Sequence, residues 1–491
     1  MNRLLFRFCV GSSLFALCLL TVPGRAQDSA SSALFRDPAR QLAPKFHYSL
    51  NAQPWVVCVG DFNGDGNIDL AIAGITSNGI VISIALGRGD GRFSIAPDLT
   101  IASVGYPRGI AAADVNHDGK TDLVVSWGDF GAVGTVNIFL GNGDGTFSAG
   151  AAYNAGGGGA LVVDYDGDGN PDIVSPQESG NGVDVLLGHG DGTFTSGTSL
   201  NLAGAWGNPL AADLNHDGQL DLVFQAVFSG GFYVSLGSGH GTYQPAVFYK
   251  LPDSSTGEVI ADFNNDGIPD VGFAGDYLFC SFPQHTLIVG VALGNGDGTF
   301  QTPLVHKAPD VCGGTLAVAA DFNGDGKMDI LEISNQKLFL GMGAGVFDSG
   351  EYSGGRGGYS LGGVAVDLNG DGAPDLVSFD DLNNRLNVAL NVSGDRETLT
   401  SSTNPSKAGE SVTFTVGVRA TVAKQLITGT VTFRDGKLTL GSVTLSNGVA
   451  TFTTPSLAKG THRISASYSG DLKYIPKIAK LVQIVGAGKA Q

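Results

Sequence analysis

An acidic nine-residue loop recurs seven times along this 491-residue chain, each time between two apolar runs. Its pattern is Asp-x-Asn/Asp-x-Asp-Gly-x-x-Asp, and its copies begin at Asp61, Asp114, Asp164, Asp213, Asp262, Asp321 and Asp367. A period of about 50 residues indicates a solenoid or a β-propeller. Seven repeats of several short strands lie within the usual range for a propeller. The sequence therefore predicts an all-β fold built on a seven-bladed β-propeller.

Each loop has the side chains that a hard divalent cation prefers. Oxygen ligands stand at positions 1, 3, 5 and 9, and glycine at position 6 permits the turn that gathers them. Position 7 offers its backbone carbonyl, so its side chain is free to vary. Calcium accepts such a flexible cage better than magnesium does, and up to seven Ca²⁺ ions are expected. The predicted ligands are Asp61, Asn63, Asp65, Asn67, Asp69, Asp114, Asn116, Asp118, Lys120, Asp122, Asp164, Asp166, Asp168, Asn170, Asp172, Asp213, Asn215, Asp217, Gln219, Asp221, Asp262, Asn264, Asp266, Ile268, Asp270, Asp321, Asn323, Asp325, Lys327, Asp329, Asp367, Asn369, Asp371, Ala373 and Asp375.

Two alternatives to this interpretation are an EF-hand and a turn that binds no metal. An EF-hand needs Glu at position 12 and flanking helices, whereas the first two loops have Ile72 and Val125 there, with strand-like flanks. A turn rich in Asn, Asp and Gly forms without a metal, but it needs no third carboxylate. Acids recur at positions 1, 5 and 9 of every copy. Metal binding is therefore the prediction, and a structural role is favoured over one in ligand recognition.

The charge of the chain supports this interpretation. The chain has 46 acidic and 28 basic residues and a net charge of −18. Three Asp in each of seven loops, together with Asp166, account for 22 of the acids. Seven divalent ions would bring the net charge to −18 + 14 = −4. The acidity is thus concentrated in the predicted sites, and no nucleic-acid partner is expected because basic residues are in deficit.

The N-terminus has the features of a secretory signal. Two arginines precede an apolar run over 8–22, Pro23-Gly24-Arg25-Ala26 follows it, and cleavage is expected after Ala26. The run is too short for a comfortable transmembrane helix, and no transmembrane segment is expected in the mature chain. Residues 1–26 are predicted to be a signal peptide. The mature chain is expected to be secreted, extracellular or at the cell surface, with the periplasm as another destination.

Three cysteines follow the predicted signal peptide. Cys58 lies in an apolar run and is expected to be a small core residue. Cys280 and Cys312 lie in loop-like stretches of the one long repeat. An exported chain favours a disulfide between them, and a free buried pair is the alternative.

A second motif accompanies the loops. Leu-Gly-x-Gly-Asp-Gly-x-Phe, as in 140–147, indicates a hairpin turn between the third and fourth strands of a repeat. Together with Asp-Phe-Asn-Gly-Asp-Gly at 61–66, it resembles the FG-GAP/VCBS repeats of integrin α-chain propellers and their bacterial relatives. The resemblance covers about residues 36–392. It implies calcium between the first two strands of each blade and ligand contact on the opposite face. The propeller is assigned to residues 27–392.

The last repeat lacks an outer strand, while a short strand-like run precedes the first inner strand. Propellers commonly close by completing the last blade with a strand from the other terminus, which removes exposed sheet edges. The segment from Phe46 to Leu50 is therefore predicted to pair with the strand that ends at Leu390.

The composition changes to Thr, Val and Ser after a linker at 393–396. Alternating runs such as 412–416 and 430–433 indicate half-buried strands. Residues 397–486 are predicted to form a β-sandwich that resembles the immunoglobulin-like repeats of bacterial surface proteins. Such a module is expected to act as a spacer or attachment unit.

Six aromatic residues are candidates for a ligand face. Four precede a loop by six to eight residues, and two follow second strands, so all should lie at the propeller end opposite the loops. They could stack on sugars or grip a protein, or they could cap the channel or pack between blades. The candidates are Trp55, Tyr106, Trp127, Trp206, Tyr277 and Tyr359.

Catalysis finds little support in the sequence. No arrangement of Ser, Cys or paired acids recurs outside the loops, so no nucleophile and base can be paired from spacing. The chain is expected to be a calcium-binding propeller for adhesion or ligand binding, not an enzyme. Its expected partner is a glycan or an extracellular or cell-surface protein. The alternative is a secreted polysaccharide lyase or hydrolase on a propeller scaffold.

Overall fold

The regular structure of the chain is β-strand. A computed structural model describes residues 42–103, 105–129, 134–226, 229–252, 256–275, 286–309, 317–333, 337–348, 351–352, 362–391, 396–419, 428–455, 457–469 and 477–486. None of these residues lies in an α-helix. Within them, no helix is long and apolar enough to cross a membrane. The predicted signal peptide lies outside the described residues.

Residues 42–391 form seven successive antiparallel sheets, each of at least four strands. Each sheet begins with the strand that leads into an acidic loop, and the loop joins it to the second strand. The first described strand along the chain is β1 (Leu42–Ser49). The next three sheets are blade 1 (β2 Gln53–Gly60, β3 Asp69–Thr76, β4 Gly79–Gly87, β5 Phe93–Ile95, with β6 Leu99–Ile101 also paired to β4), blade 2 (β7 Tyr106–Ala113, β8 Asp122–Gly128, β9 Thr135–Gly141, β10 Phe147–Tyr153) and blade 3 (β11 Leu161–Val163, β12 Asp172–Pro176, β13 Val183–Gly188, β14 Phe194–Ser196).

Four further sheets continue the series. They are blade 4 (β15 Trp206–Ala212, β16 Asp221–Ala226, β17 Gly231–Ser235, β18 Val247–Lys250), blade 5 (β19 Thr256–Ala261, β20 Asp270–Gly275, β21 Thr286–Ala292, β22 Leu304–Pro309), blade 6 (β23 Ala317–Ala320, β24 Asp329–Glu332, β25 Lys337–Phe339, β28 Glu351–Tyr352, with a hairpin of β26 Gly341–Gly343 and β27 Val346–Phe347) and blade 7 (β29 Gly363–Val366, β30 Asp375–Asp380, β31 Arg385–Asn391, with β1).

The first strands of the seven sheets follow one another in a closed ring. Strand β2 contacts β7, which contacts β11, and the series continues through β15, β19, β23 and β29. Strand β29 then contacts β2, so the last blade lies against the first. This arrangement is the predicted β-propeller. It also explains why the first and second strands read as continuous apolar runs, since both faces of each sheet are covered by neighbouring blades.

The predicted closure by the N-terminal segment is confirmed. Strand β1 pairs with β31 at the outer edge of blade 7. The backbone N–H of Leu50 donates to the carbonyl of Asn384 at 2.8 Å, and His47 Nδ1 lies 2.7 Å from Asn387 Oδ1. The hydroxyl of Tyr48 accepts the N–H of Phe93 at 3.0 Å, so β1 also contacts blade 1.

The C-terminal residues form two further sheets with a core of their own. Burial of Phe414, Phe433 and Tyr468 between apolar strand faces accounts for the alternating pattern of the sequence. The Tyr468 hydroxyl donates to the carbonyl of Thr428 at 2.6 Å, and its ring lies in the core. Of the predicted linker, 393–395 lies outside the described residues. One sheet contains β32 (Arg396–Ser401), β34 (Val412–Arg419) and β37 (Val449–Thr454), and the other contains β33 (Ser406–Lys407), β39 (Lys477–Gly486), β38 (Gly460–Tyr468), β35 (Thr430–Asp435) and β36 (Leu438–Thr444).

Candidate metal centre

The same backbone hydrogen bonds shape all seven acidic loops. The N–H of Gly at position 6 donates to the carboxylate at position 1, at 2.7 to 3.1 Å. The N–H at position 7 donates to the carboxylate at position 5, at 2.8 to 3.0 Å. The N–H at position 5 donates to the side-chain oxygen at position 3. The loops are thus curled, with oxygen-bearing side chains held in fixed places around the turn.

Position 9 is the buried end of each loop. In the first six loops one oxygen of this Asp accepts the N–H at position 2, and the other accepts the N–H of the Gly that ends the third strand in blades 1 to 3 or lies two residues beyond it in blades 4 to 6. Asp122, for example, accepts from Val115 at 2.9 Å and from Gly141 at 2.7 Å. A carboxylate oxygen has a second lone pair, so these bonds leave room for a cation. The position 9 Asp therefore fastens the loop to the third strand.

The Gly that ends the third strand is required by this close approach. A Cβ on Gly141 would lie 2.2 Å from the carbonyl oxygen of Thr121, at position 8 of the loop. Equivalent glycines in the first six blades would meet the position 8 carbonyl at 2.1 to 2.4 Å. From the sequence, this glycine was predicted only to belong to the hairpin turn. Its recurrence directly after Leu could have indicated that it also contacts the acidic loop.

At the buried end of a loop, the carboxylate at position 9 lies near other carboxylates of the same loop. Burial raises the pKa of Asp172 and of Asp270 to about 6, and that of Asp329 to about 7, although backbone N–H groups oppose the shift. Carboxylates at other positions of the same loop raise these pKa values further. A buried carboxylate beside other carboxylates is unfavourable unless a cation neutralises it. The donor set and its crowding fit a hard divalent cation.

Loop 3 brings three acids closest together. Carboxylate oxygens of Asp164, Asp166 and Asp172 lie within 4.8 Å of one another, and this cluster could hold a metal ion. No second group of three acidic, His or Cys side chains within the described ranges meets this spacing. Asp168 lies outside the group, although it was predicted as a ligand. The other six loops have Asn at position 3, so an amide oxygen replaces the third carboxylate there.

Position 4 connects neighbouring loops, a role that the sequence analysis missed. It is Gly, His or Asn in every copy, and His117, His216 and Asn265 have φ of 55 to 60°. His117 Nε2 lies 3.1 Å from Asn170 Oδ1 in the next loop. Asn265 Nδ2 donates to the Gly326 carbonyl of the loop after it, at 3.1 Å. Position 4 contains only Gly, His and Asn, and this restriction could have indicated a left-handed backbone at that position.

Position 2 receives the hairpin of the following blade. The N–H of Gly145 in the blade 2 hairpin donates to the Phe62 carbonyl of loop 1 at 2.9 Å. The rings of Phe62 and Phe147 meet edge to face, with centroids 5.5 Å apart. The same backbone bond recurs at four other junctions, and one of them joins the blade 1 hairpin to loop 7. Six loops are therefore fixed to their own blade through position 9, and five are bonded through position 2 to the hairpin of the next blade.

The aromatic candidates are partly accounted for by packing. Trp55 is buried, at 8% exposure, and its ring lies 5.0 Å from that of the half-buried Tyr106. Trp127 is half-buried and donates to Asn137 Oδ1 at 2.7 Å. All three belong to one apolar cluster between blades 1 and 2, so for Trp55 the alternative of packing between blades describes its place. Trp206 begins β15, but its side chain is not described. Tyr277, Tyr359, Cys280 and Cys312 lie outside the described residues.

A buried ion pair lies near these aromatics and was not predicted. Arg108 Nη2 and Glu178 Oε1 are 2.8 Å apart, and both side chains are almost fully buried. The guanidinium of Arg108 also lies over the ring of Tyr106, at 5.7 Å. Burial raises the pKa of Glu178, and Arg108 opposes that shift. The pair joins blades 2 and 3.

Comparison with known families agrees with this geometry. Residues 61–125 and 164–224 match the FG-GAP-like repeat, and residues 399–485 match the group 3 bacterial Ig-like domain. The chain contains FG-GAP-like repeats and a bacterial Ig-like domain. The FG-GAP-like matches cover the loops of blades 1 to 4. The shared hydrogen bonds extend the same loop to blades 5 to 7.

More distant comparisons are with whole proteins. No curated protein matches the chain in sequence. The chain is similar to the periplasmic gluconolactonase PpgL of Pseudomonas aeruginosa, at 14% identity and a TM-score of 0.38 over 59% of this chain and 85% of that one. It is similar to the biofilm matrix protein Bap1 of V. cholerae, at 15% identity and a TM-score of 0.35 over 91% of this chain and 71% of that one. The extracellular domain of a hybrid two-component system from B. thetaiotaomicron gives 9% identity and a TM-score of 0.39, over 91% of this chain and 59% of that one. TM-scores this low do not assign a function.

Proposed function

We propose that the protein is an exported, calcium-stabilised β-propeller that binds a glycan or an extracellular protein and so serves adhesion or ligand capture. Calcium would occupy the seven loops in a structural role, held by the side chains at positions 1, 3, 5 and 9 and by the carbonyl at position 7. The Ig-like domain would hold the propeller away from its point of attachment. Binding, not catalysis, would be its activity.

The observation that carries this proposal is the identical hydrogen-bond network of the seven loops. Each network fixes oxygen-bearing side chains around one turn, and at five junctions a backbone bond joins that turn to the hairpin of the next blade. A cation bound there would relieve the crowding of carboxylates and stabilise every blade junction. Millimolar calcium outside the cell would fill even weak sites, with dissociation constants of about 0.1 to 1 mM.

A binding panel tests the proposal. The mature chain, purified in calcium, would be applied to arrays of glycans and matrix proteins, in parallel with a sample treated with a chelator. The proposal expects at least one ligand that is retained in calcium and lost when the chelator lowers the melting temperature. Failure to bind any ligand, together with a melting temperature that the chelator does not change, would refute the proposal.

The competing function is cleavage of a polysaccharide. The same glycans would be incubated with the protein and assayed for new reducing ends and for unsaturated ends that absorb in the ultraviolet. The proposal expects neither product above the level of a heat-denatured sample. Turnover at a rate proportional to protein concentration would make the chain an enzyme and overturn the binding assignment.

A further inference from the structure

The Ig-like domain and the rest of the chain carry opposite charge. Residues 396–491 contain 12 Lys and Arg and 4 Asp and Glu, a net charge of +8. The remaining residues contain 28 − 12 = 16 basic and 46 − 4 = 42 acidic side chains, a net charge of −26. The chain-wide value of −18 conceals this division. A strongly basic domain on an acidic protein indicates an anionic partner for that domain.

Four of the basic residues lie at one end of the five-stranded sheet. Arg434 is next to last in β35, and Lys437 lies in the turn that leads from β35 to β36. Lys459 directly precedes β38, and Arg463 is the fourth residue of that strand. We call these four residues the basic end.

Strand pairing brings these segments together. Strands β35 and β38 are antiparallel neighbours, with Arg434 opposite Ser465. The N–H of Gly436, in the turn beside Lys437, donates to the carbonyl of Arg463 at 2.9 Å. The start of β38 therefore lies beside the end of β35, and the four cations share one edge of the domain.

The charges of the basic end are not neutralised by the domain itself. All four side chains are exposed, and none forms a salt bridge with another described residue. The acid nearest to them in sequence, Asp435, is only partly exposed, and its carboxylate is 2.5 Å from His462 Nδ1. That contact pairs the Asp435 carboxylate with the imidazole. The basic end therefore presents four positive charges to solvent.

The outward face beside the basic end carries hydroxyls. Residues of β38 alternate, so Thr461, Ser465 and Ser467 share the outer side with Arg463, while Ile464 lies in the core. On the other sheet the outward pair Thr413 and Thr453 bond to each other at 2.8 Å. Cations and hydroxyls thus lie side by side on the outer side of β38.

We propose that the basic end binds a carboxylate-bearing polysaccharide. Guanidinium groups pair with carboxylates through two parallel hydrogen bonds, and neighbouring Ser and Thr hydroxyls can pair with sugar hydroxyls. The exposed Val482, opposite Arg463, offers a small apolar surface to a sugar ring. Ile484, opposite Thr461, and Leu438, next to Lys437, are also exposed, so the choice of a polysaccharide over a lipid surface rests on the hydroxyls beside the cations. The choice of a polysaccharide over a nucleic acid rests on the export included in the proposed function.

The test measures binding of the full mature chain, in calcium, to immobilised hyaluronan, with dextran as the uncharged reference. The wild type is expected to bind hyaluronan but not dextran, and its complex with hyaluronan should dissociate as salt is added. The variant R434Q/K437Q/K459Q/R463Q should bind about 80-fold more weakly, at about threefold for each exposed cation. All four side chains are exposed, so its melting curve should match that of the wild type. Calcium content measured on the same samples separates failure of this inference from failure of the calcium-bound scaffold.

A matched pair of variants removes the effect of net charge alone. R434Q/R463Q changes two cations of the basic end, and R385Q/K407Q changes two exposed cations elsewhere. The first should lower affinity about tenfold and the second less than about twofold. Equal effects of the two pairs, or full binding by the fourfold variant, would overturn the proposal. Preference for phosphatidylglycerol vesicles or duplex DNA over hyaluronan would overturn the choice of partner.

Discussion

At the scale of single residues, the repeat is specified by backbone hydrogen bonding as much as by ligand chemistry. The position 9 Asp is the clearest case, because it is buried in every loop and accepts two backbone N–H groups in the first six. An Asn at this position could accept only through its single carbonyl oxygen. These hydrogen bonds explain why Asp recurs at position 9, even without a bound cation. Positions 2 and 4, where the side chain type varies, serve contacts between neighbouring blades.

Replacing a position 9 carboxylate should be costly. Asp122→Ala leaves the N–H groups of Val115 and Gly141 buried without their acceptor, and we expect a loss of about 3 kcal/mol in the free energy of unfolding. Asp144→Ala, which removes an exposed carboxylate bonded to Thr146, should cost less than about 1 kcal/mol. Denaturant unfolding in calcium measures both. Equal costs would show that the position 9 Asp does not clamp the loop.

The Ig-like domain should lose stability as pH rises. A hydrogen bond to the Ala458 carbonyl, followed by the contact with Asp435, raises the pKa of His462 above 6.5. A raised pKa in the folded state gives stability that is full below the unfolded value and is lost as pH rises through the folded value. Between about pH 5.5 and about pH 8 the unfolding transition of the domain should move to lower temperature. The shift should be small because the pair lies near the surface.

Two histidine variants check this assignment by calorimetry. His462→Gln should flatten the pH dependence of the domain's transition, whereas His306→Gln, in the propeller, should leave it unchanged. An undiminished slope in the His462 variant would assign the pH dependence to other groups.

At the scale of elements, five of the blade junctions combine an acidic loop with the hairpin of the next blade. The loop joins the first two strands, the position 9 Asp reaches the third strand, and the following hairpin bonds to position 2. The aromatic that closes the hairpin then packs on the side chain at position 2, as in the stacked pair Tyr165 and Tyr243, whose centroids are 4.7 Å apart. The two sequence motifs are therefore parts of one junction between blades.

The glycine that ends each third strand should not tolerate a side chain. Gly141→Ala would place a Cβ 2.2 Å from the Thr121 carbonyl, and a backbone atom cannot move aside cheaply. We expect a loss of about 3 kcal/mol in unfolding free energy. Gly64→Ala meets no atom nearer than 3.9 Å and has a φ of 73°, so it should cost only about 1 kcal/mol of backbone strain. Urea unfolding ranks the two, and the reverse order would contradict this account of the motif.

The N-terminal strand should be essential to the closed ring. Deletion of residues 27–50 removes β1 and exposes the edge of β31, so the melting temperature should fall by roughly 10 °C or more. Deletion of 27–41 alone keeps β1 and serves as the control, with no change expected. Scanning calorimetry compares the two truncations. A full-length melting temperature in the longer truncation would mean that β1 does not close the propeller.

Much of the element plan followed from the sequence, and the exceptions have physical causes. The loops, the hairpins, the pairing of β1 and the alternating strands of the Ig-like domain were predictable because each depends on residues close in sequence or on strand periodicity. The burial of Trp55 and the Arg108–Glu178 pair were not, because they depend on how blades 1, 2 and 3 pack across a junction. Spacing places such residues at one end of a strand. It does not tell whether the side chain faces solvent or the next blade.

At the scale of the whole propeller, seven sheets form a closed ring, and each sheet contains an acidic loop between its first two strands. Contacts run from blade 1 round to blade 7 and back to blade 1, so the loss of one junction weakens a closed structure. Three Asp in each of the seven loops concentrate negative charge at those junctions. Divalent cations would convert this repulsion into attraction. The stability of the propeller should therefore depend on ions at all seven loops together.

The calcium content of the protein tests this account most directly. The mature chain would be saturated with calcium, passed through a desalting column in calcium-free buffer and analysed at once by plasma mass spectrometry, with protein quantified by amino-acid analysis. The account predicts about seven calcium ions per chain, in keeping with one ion in each loop of this kind. A value below one ion per chain, in protein that retains its folded circular dichroism spectrum, would contradict it.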